Sequence, residues 1–90
     1  MEKVYTTRYV ARTALGKKLY IMAETKAMNS GGGTVASYSL TEDLIDASKC
    51  INKITAKTLI SDYIAAKNST RTFKIIPVSV SFELLEDCDE

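Results

Sequence analysis

Ninety residues are enough for one domain with one hydrophobic core, expected to span residues 1–90, and leave no room for a second. With 46% hydrophobic and 26% charged residues the chain has the composition of a folded globular domain, which excludes intrinsic disorder. The net charge of +1 is too small for a dedicated nucleic-acid binder or for an acidic mimic of DNA, although it conceals an asymmetry: residues 1–40 carry six basic side chains against two acids, and residues 41–90 carry six against nine.

From Lys3 to Thr13 the density of β-branched and aromatic residues predicts a strand, with Tyr5, Thr7, Tyr9 and Ala11 on one face and Val4, Thr6, Arg8, Val10 and Arg12 on the other. Gly16 reverses the chain, which returns as a second strand over Lys18–Thr25 whose better core face is Leu19, Ile21 and Ala23. Asn29 to Gly33 contains three consecutive glycines and reads as a loop. A phosphate-cradling role would require a lysine and a hydroxyl residue opening a helix, whereas Gly33 leads into Thr34–Leu40, a third strand.

Thr41 followed by Glu42 and Asp43 has the form of a helix N-cap with acids in the first turn, so a short helix is expected from Thr41. Lys49 to Ile51 reads as a brief extended connection whose apolar pair, Cys50 and Ile51, tucks inward. Asn52 then caps a second helix running to about Lys67, with Ala56, Leu59, Ile60, Tyr63 and Ile64 on its apolar face. The last element, Phe73 to Leu85, alternates Val78, Val80, Phe82 and Leu84 with Ser79, Ser81 and Glu83 and reads as a central strand, the valine face in the core and the serine face in water. Pro77 donates no ladder hydrogen bond, so a bulge or a shifted register is expected there. The expected fold is α+β: an antiparallel sheet of about four strands in the order β-β-β-α-α-β, with the helices on one face.

The chemistry legible in the chain is sparse. No histidine occurs, which removes the commonest general base and zinc ligand, and with them the histidine-dependent triads. Cys50 and Cys88 read as free thiols, one buried and one exposed, and neither a metal nor any other cofactor is expected. Glu42 and Asp43 fit a helix N-terminus better than a catalytic pair, and the chain is expected not to be an enzyme. The apolar runs are only a few residues long, far below the roughly 20 needed to span a bilayer. Residues 1–7 lack an apolar signal core, so a cytoplasmic location is expected. Two groups are candidates for partner binding. One is the acidic tail Glu86, Asp87, Asp89 and Glu90, which could attract a basic partner or act as a solubilising end; the other is Arg8, Arg12, Lys17 and Lys18 around the first hairpin.

Tyr9-Val-Ala-Arg12, Lys18-Leu-Tyr-Ile21, the run Tyr38 to Lys49, Thr55 to Ile60 and Ile75 to Val78 together resemble the small accessory proteins of phages that infect Gram-positive bacteria. Some of these are inhibitors of host defence, including anti-CRISPR proteins. The resemblance implies a non-enzymatic inhibitor in the host cytoplasm that binds a host defence protein such as a CRISPR nuclease; it assigns no functional residue. The alternative from the residues themselves is a small nucleic-acid-binding module that uses the basic hairpin.

Overall fold

The computed structural model describes residues 3–27 and 33–83. Four strands and one helix follow in the order β1 (Lys3–Thr13), β2 (Tyr20–Ala27), β3 (Thr34–Thr41), α1 (Lys53–Lys67) and β4 (Phe73–Glu83). The strands form one antiparallel sheet in the spatial order β3-β2-β1-β4. The fold is α+β, and α1 touches all four strands.

The sheet is two ribbons joined at a narrow point. β1 and β4 pair without interruption from Lys3↔Glu83 to Thr13↔Phe73, and β2 and β3 pair from Tyr20↔Thr41 to Ala27↔Thr34. Between the ribbons, β1 and β2 share one paired position, Arg12↔Tyr20. Thr13, buried in the angle, locks the connecting loop: its hydroxyl donates to the Lys17 carbonyl at 2.6 Å and accepts from the Leu19 amide at 3.1 Å. Gly16 supplies the positive φ, 77°, that this reversal needs.

Beyond that point the ribbons diverge, and residues 47–50 fill the fork. The Tyr9 amide donates to the Cys50 carbonyl at 2.9 Å and the Cys50 amide donates back to the Tyr9 carbonyl at 2.7 Å. On the other side, the Ser48 amide donates to the Ile21 carbonyl at 3.1 Å, and the Ala23 amide donates to the Ser48 hydroxyl at 2.8 Å. Ala47 and Cys50 are buried in the process. Ile51 is instead 65% exposed, in the bend where the chain leaves the fork for α1.

No helix forms at Thr41. That residue still belongs to β3, and the cap chemistry closes a turn: the Asp43 amide donates to Thr41 Oγ1, and the Ile45 amide donates to Asp43 Oδ1. Lys49 Nζ then donates to the carbonyls of Leu44, Ile45 and Ala47 at 2.9, 2.9 and 3.0 Å, so they are satisfied without a helical ladder. α1 starts as expected, with Asn52 Oδ1 accepting from the Thr55 amide at 2.8 Å, and ends on Asn68 in the left-handed region. Its inward face is Ala56 and Tyr63, buried, with Leu59, Ile60 and Ile64 half-buried.

The core under α1 is built from Ala11, Ile21 and Tyr63, flanked by Tyr38, Leu40, Leu59, Ile60, Ile64 and Phe73. The Tyr63 and Phe73 rings meet edge to face with centroids 5.4 Å apart. Ala11 and Phe73 are odd-numbered in the unbroken β1–β4 register, so the helix covers the odd face of that ribbon. Val78, Val80 and Phe82 therefore lie on the face turned away from the helix, where Val78 and Val80 are half-buried and Phe82 is 56% exposed. Leu84 lies outside the described residues.

β4 is an edge strand, and no bulge interrupts it at Pro77. Since the backbone groups of Tyr9 turn toward Cys50, Tyr9 and its partner Pro77 form a non-hydrogen-bonded pair in the β1–β4 ladder. The missing N–H of Pro77 then falls on the outer side of the sheet, where no bond is lost.

Replacing Ser48 by Ala leaves the Ala23 amide without its acceptor and is expected to lower stability by about 1–3 kcal/mol. Val80→Ala on the open face is expected to cost less than about 1 kcal/mol. Urea denaturation of the two variants checks the ranking, and an equal loss would contradict both the role of the fork and the assignment of faces.

Candidate interaction surface

On the face of β1 and β4 away from α1, the register sets five pairs: Val4 with Phe82, Thr6 with Val80, Arg8 with Val78, Val10 with Ile76, and Arg12 with Lys74. Tyr20 joins them, opposite Arg12 on the β2 side. α1 does not cover this face, although its fork end is closed to solvent. Val10 is fully buried, Ile76, Val78 and Val80 are half-buried, and Val4 and Phe82 are 60% and 56% exposed. The result is an apolar strip along the ribbon with cations beside it.

Those cations are held in different ways. One Arg8 guanidinium nitrogen donates to Thr6 Oγ1 at 3.1 Å and to the Thr7 carbonyl at 3.2 Å, which lays the side chain along its own strand. Arg12 has a buried Nε with no hydrogen-bond partner among the described residues. It also stands directly across from Lys74, a like-charge pair that destabilises the isolated sheet. Among the strand positions described on this face, Glu24 at the far end of β2 is the one carboxylate. An acidic group docked beside this pair would relieve the repulsion.

Of the residues expected to bind a partner, the structure brings Arg8 and Arg12 onto one face. Lys17 and Lys18 sit instead in the β1–β2 loop, where Lys17 forms an exposed ion pair with Glu42. Such a pair is worth little in water. The acidic tail, Glu86, Asp87, Asp89 and Glu90, lies outside the described residues, as does the glycine loop up to Gly32. Lys74 was missed by sequence reasoning, because its place beside Arg12 appears only once β4 is known to pair with β1 rather than to stand in the sheet centre.

The remaining features are modest. A second exposed apolar group, Leu44, Ile45, Ile51 and Ile54, surrounds the turn before α1. A shallow cavity of about 160 Å³ is lined by Thr13, Leu15, Thr70, Arg71 and Thr72. It is smaller than the roughly 300 Å³ at which small-molecule pockets begin. No group of three or more potential metal ligands occurs among the described residues, and no helix there is long and apolar enough to cross a membrane. Cys50 is a buried free thiol whose pKa is pushed up by desolvation, which disfavours the reactive thiolate.

No known protein family, curated protein or solved structure matches this chain.

Because its thiol is both buried and protonated, Cys50 is expected to resist alkylation in the folded protein and to react readily in denaturant. Peptide mapping by mass spectrometry follows it separately from Cys88, and equally fast labelling of Cys50 in both conditions would contradict its place in the fork.

Proposed function

We propose that this chain is a non-enzymatic inhibitor that acts by binding a host defence protein, and that the face of β1 and β4 turned away from α1 is the binding surface. The observation that carries this reading is the combination, on the face turned away from α1, of an apolar strip with two arginines and a lysine that form no ion pair among the described residues. Protein interfaces use this mixture: apolar and aromatic anchors are desolvated at the centre, and arginine supplies directed hydrogen bonds. The resemblance to phage accessory proteins supplies the class of target, host defence proteins including CRISPR nucleases. The cationic face suits an acidic patch on such a target. The acidic tail suits the basic surfaces that nucleases use to hold phosphates.

One observation favours a second reading, a nucleic-acid-binding module. Arg8, Arg12 and Lys74 share their face with Tyr20, and single strands bind through cations combined with aromatic rings. Two features weigh against it. The strip between the cations is mainly valine, which offers no stacking surface, and the net charge of the chain is only +1.

The test is capture of partners from host lysate, with and without nuclease digestion, by the wild type and by the double variant Arg8→Glu, Lys74→Glu. A protein partner that survives digestion, and that the variant binds at least about tenfold more weakly, is expected. Loss of all binding on digestion would favour the nucleic-acid module. Equal binding by wild type and variant would remove this face as the interface.

A further inference from the structure

The outer edge of β4 offers a pairing surface of its own. Even-numbered residues of β1 and β4 exchange the ladder bonds of the ribbon, so the N–H and C=O groups of Ser79, Ser81 and Glu83 point outward, where no strand follows among the described residues. Proteins protect such edges with proline, lysine, bulges or covering elements. Here the protection is one-sided. Pro77 and Lys74 guard the half of β4 near the helix, whereas Ser79 to Glu83 carries no proline, no lysine and no bulge.

We propose that a second copy of this chain pairs with the Ser79–Glu83 edge, antiparallel and centred on Ser81, and joins two four-stranded sheets into one of eight strands. The register follows from the residues. Centring on Ser81 sets Ser81 against itself and Ser79 against Glu83 of the second copy, so no like charges oppose one another and Pro77 stays outside the paired segment. A twofold axis perpendicular to the sheet keeps the same face upward in both copies. Val80 of each copy then lies across from Phe82 of the other, extending the apolar strip and covering the exposed phenylalanine ring.

Sterics agree with this register. Ser79 and Ser81 are small and exposed, and α1 packs at the Phe73 end of β4, so antiparallel pairing carries the two helices to opposite ends. Five edge residues from each copy with the Val80 and Phe82 contacts make a small interface, at the low end of the range for specific association. A dimer that dissociates in the micromolar range is the expected result.

Sedimentation equilibrium over a hundredfold range of concentration tests the proposal. The wild type is expected to move from the mass of one chain to that of two. Ser81→Pro removes an N–H that has no partner among the described residues, as Pro77 already does, and is expected to stay monomeric with an unchanged circular dichroism melt. Should that variant not fold, a charge exchange replaces it: Ser81→Lys and Ser81→Glu are each monomeric alone, and an equimolar mixture associates about tenfold more tightly than either. A wild type of single-chain mass at every concentration would overturn the proposal. So would a dimer that a folded Ser81→Pro leaves intact, or a mixture that gains nothing over its components. A monomeric wild type whose capture of a host protein is lost in Ser81→Pro would also overturn it, and would assign the edge to a strand of that partner.

Discussion

The fold depends on four hydrogen bonds at the fork between its two ribbons. β1 and β2 meet at one paired position, and beyond it the backbone groups of Tyr9, Ile21 and Ala23 face a gap rather than each other. Residues 47–50 enter that gap as a substitute strand. A buried amide or carbonyl left unpaired costs about 1–3 kcal/mol. Four such groups would therefore offset much of the 5–15 kcal/mol by which a domain of this kind is stable. The fork also receives Ala47 and Cys50, small side chains that fit where the ribbons are still close. The Lys49 ammonium between them turns outward to hold the carbonyls of the preceding turn.

From this wedge the rest of the architecture follows. The chain leaves the fork at Cys50 and reaches the N-cap Asn52 two residues later, so α1 must begin against the junction and lie across the face that contains Ala11 and Ile21. β4 then returns along the free side of β1, as the strand order shows. One helix over two diverging ribbons covers little area. Among the described residues seven hydrophobic side chains are buried, three of them in the cluster under α1, and the radius of gyration is 15.8 Å against about 12 Å for a compact chain of this length. The exposed far half of the β1–β4 ribbon, with Val4, Tyr5 and Phe82 each more than half exposed, is the geometric consequence.

The local signals in the sequence were legible where one residue's chemistry decides the outcome. Asn52 and the spacing of Ala56, Leu59, Ile60, Tyr63 and Ile64 define α1 because capping and helical periodicity are short-range effects. The bounds of β1 follow from its composition in the same way. The errors arose where the outcome depends on a distant partner. Thr41 and Asp43 can cap a helix or close a turn, and the choice falls to Lys49 and to the pairing of Thr41 with Tyr20. Pro77 suggested a break in a central strand, when its missing donor equally marks an edge strand in unbroken register. The alternation of Val78, Val80 and Phe82 with serines correctly separated two faces, but periodicity cannot tell which face a helix will cover. For the candidate surface, Arg8 and Arg12 were visible as same-face residues from spacing alone, and Lys74 was not.

What the open face retains is unfavourable for an isolated domain. Arg12 keeps a buried Nε without a partner among the described residues, stands directly across from Lys74, and sits at the end of an apolar strip that reaches the exposed Phe82. Each feature alone has a cheap remedy by one substitution, such as an acid at position 74 or a threonine at position 82. A small core gives little stability to spare for such arrangements. Their concentration on one face of a single ribbon supports the proposal that this face binds a partner. The helix-covered side, with its satisfied caps and edge-to-face rings, is shaped by the demands of folding.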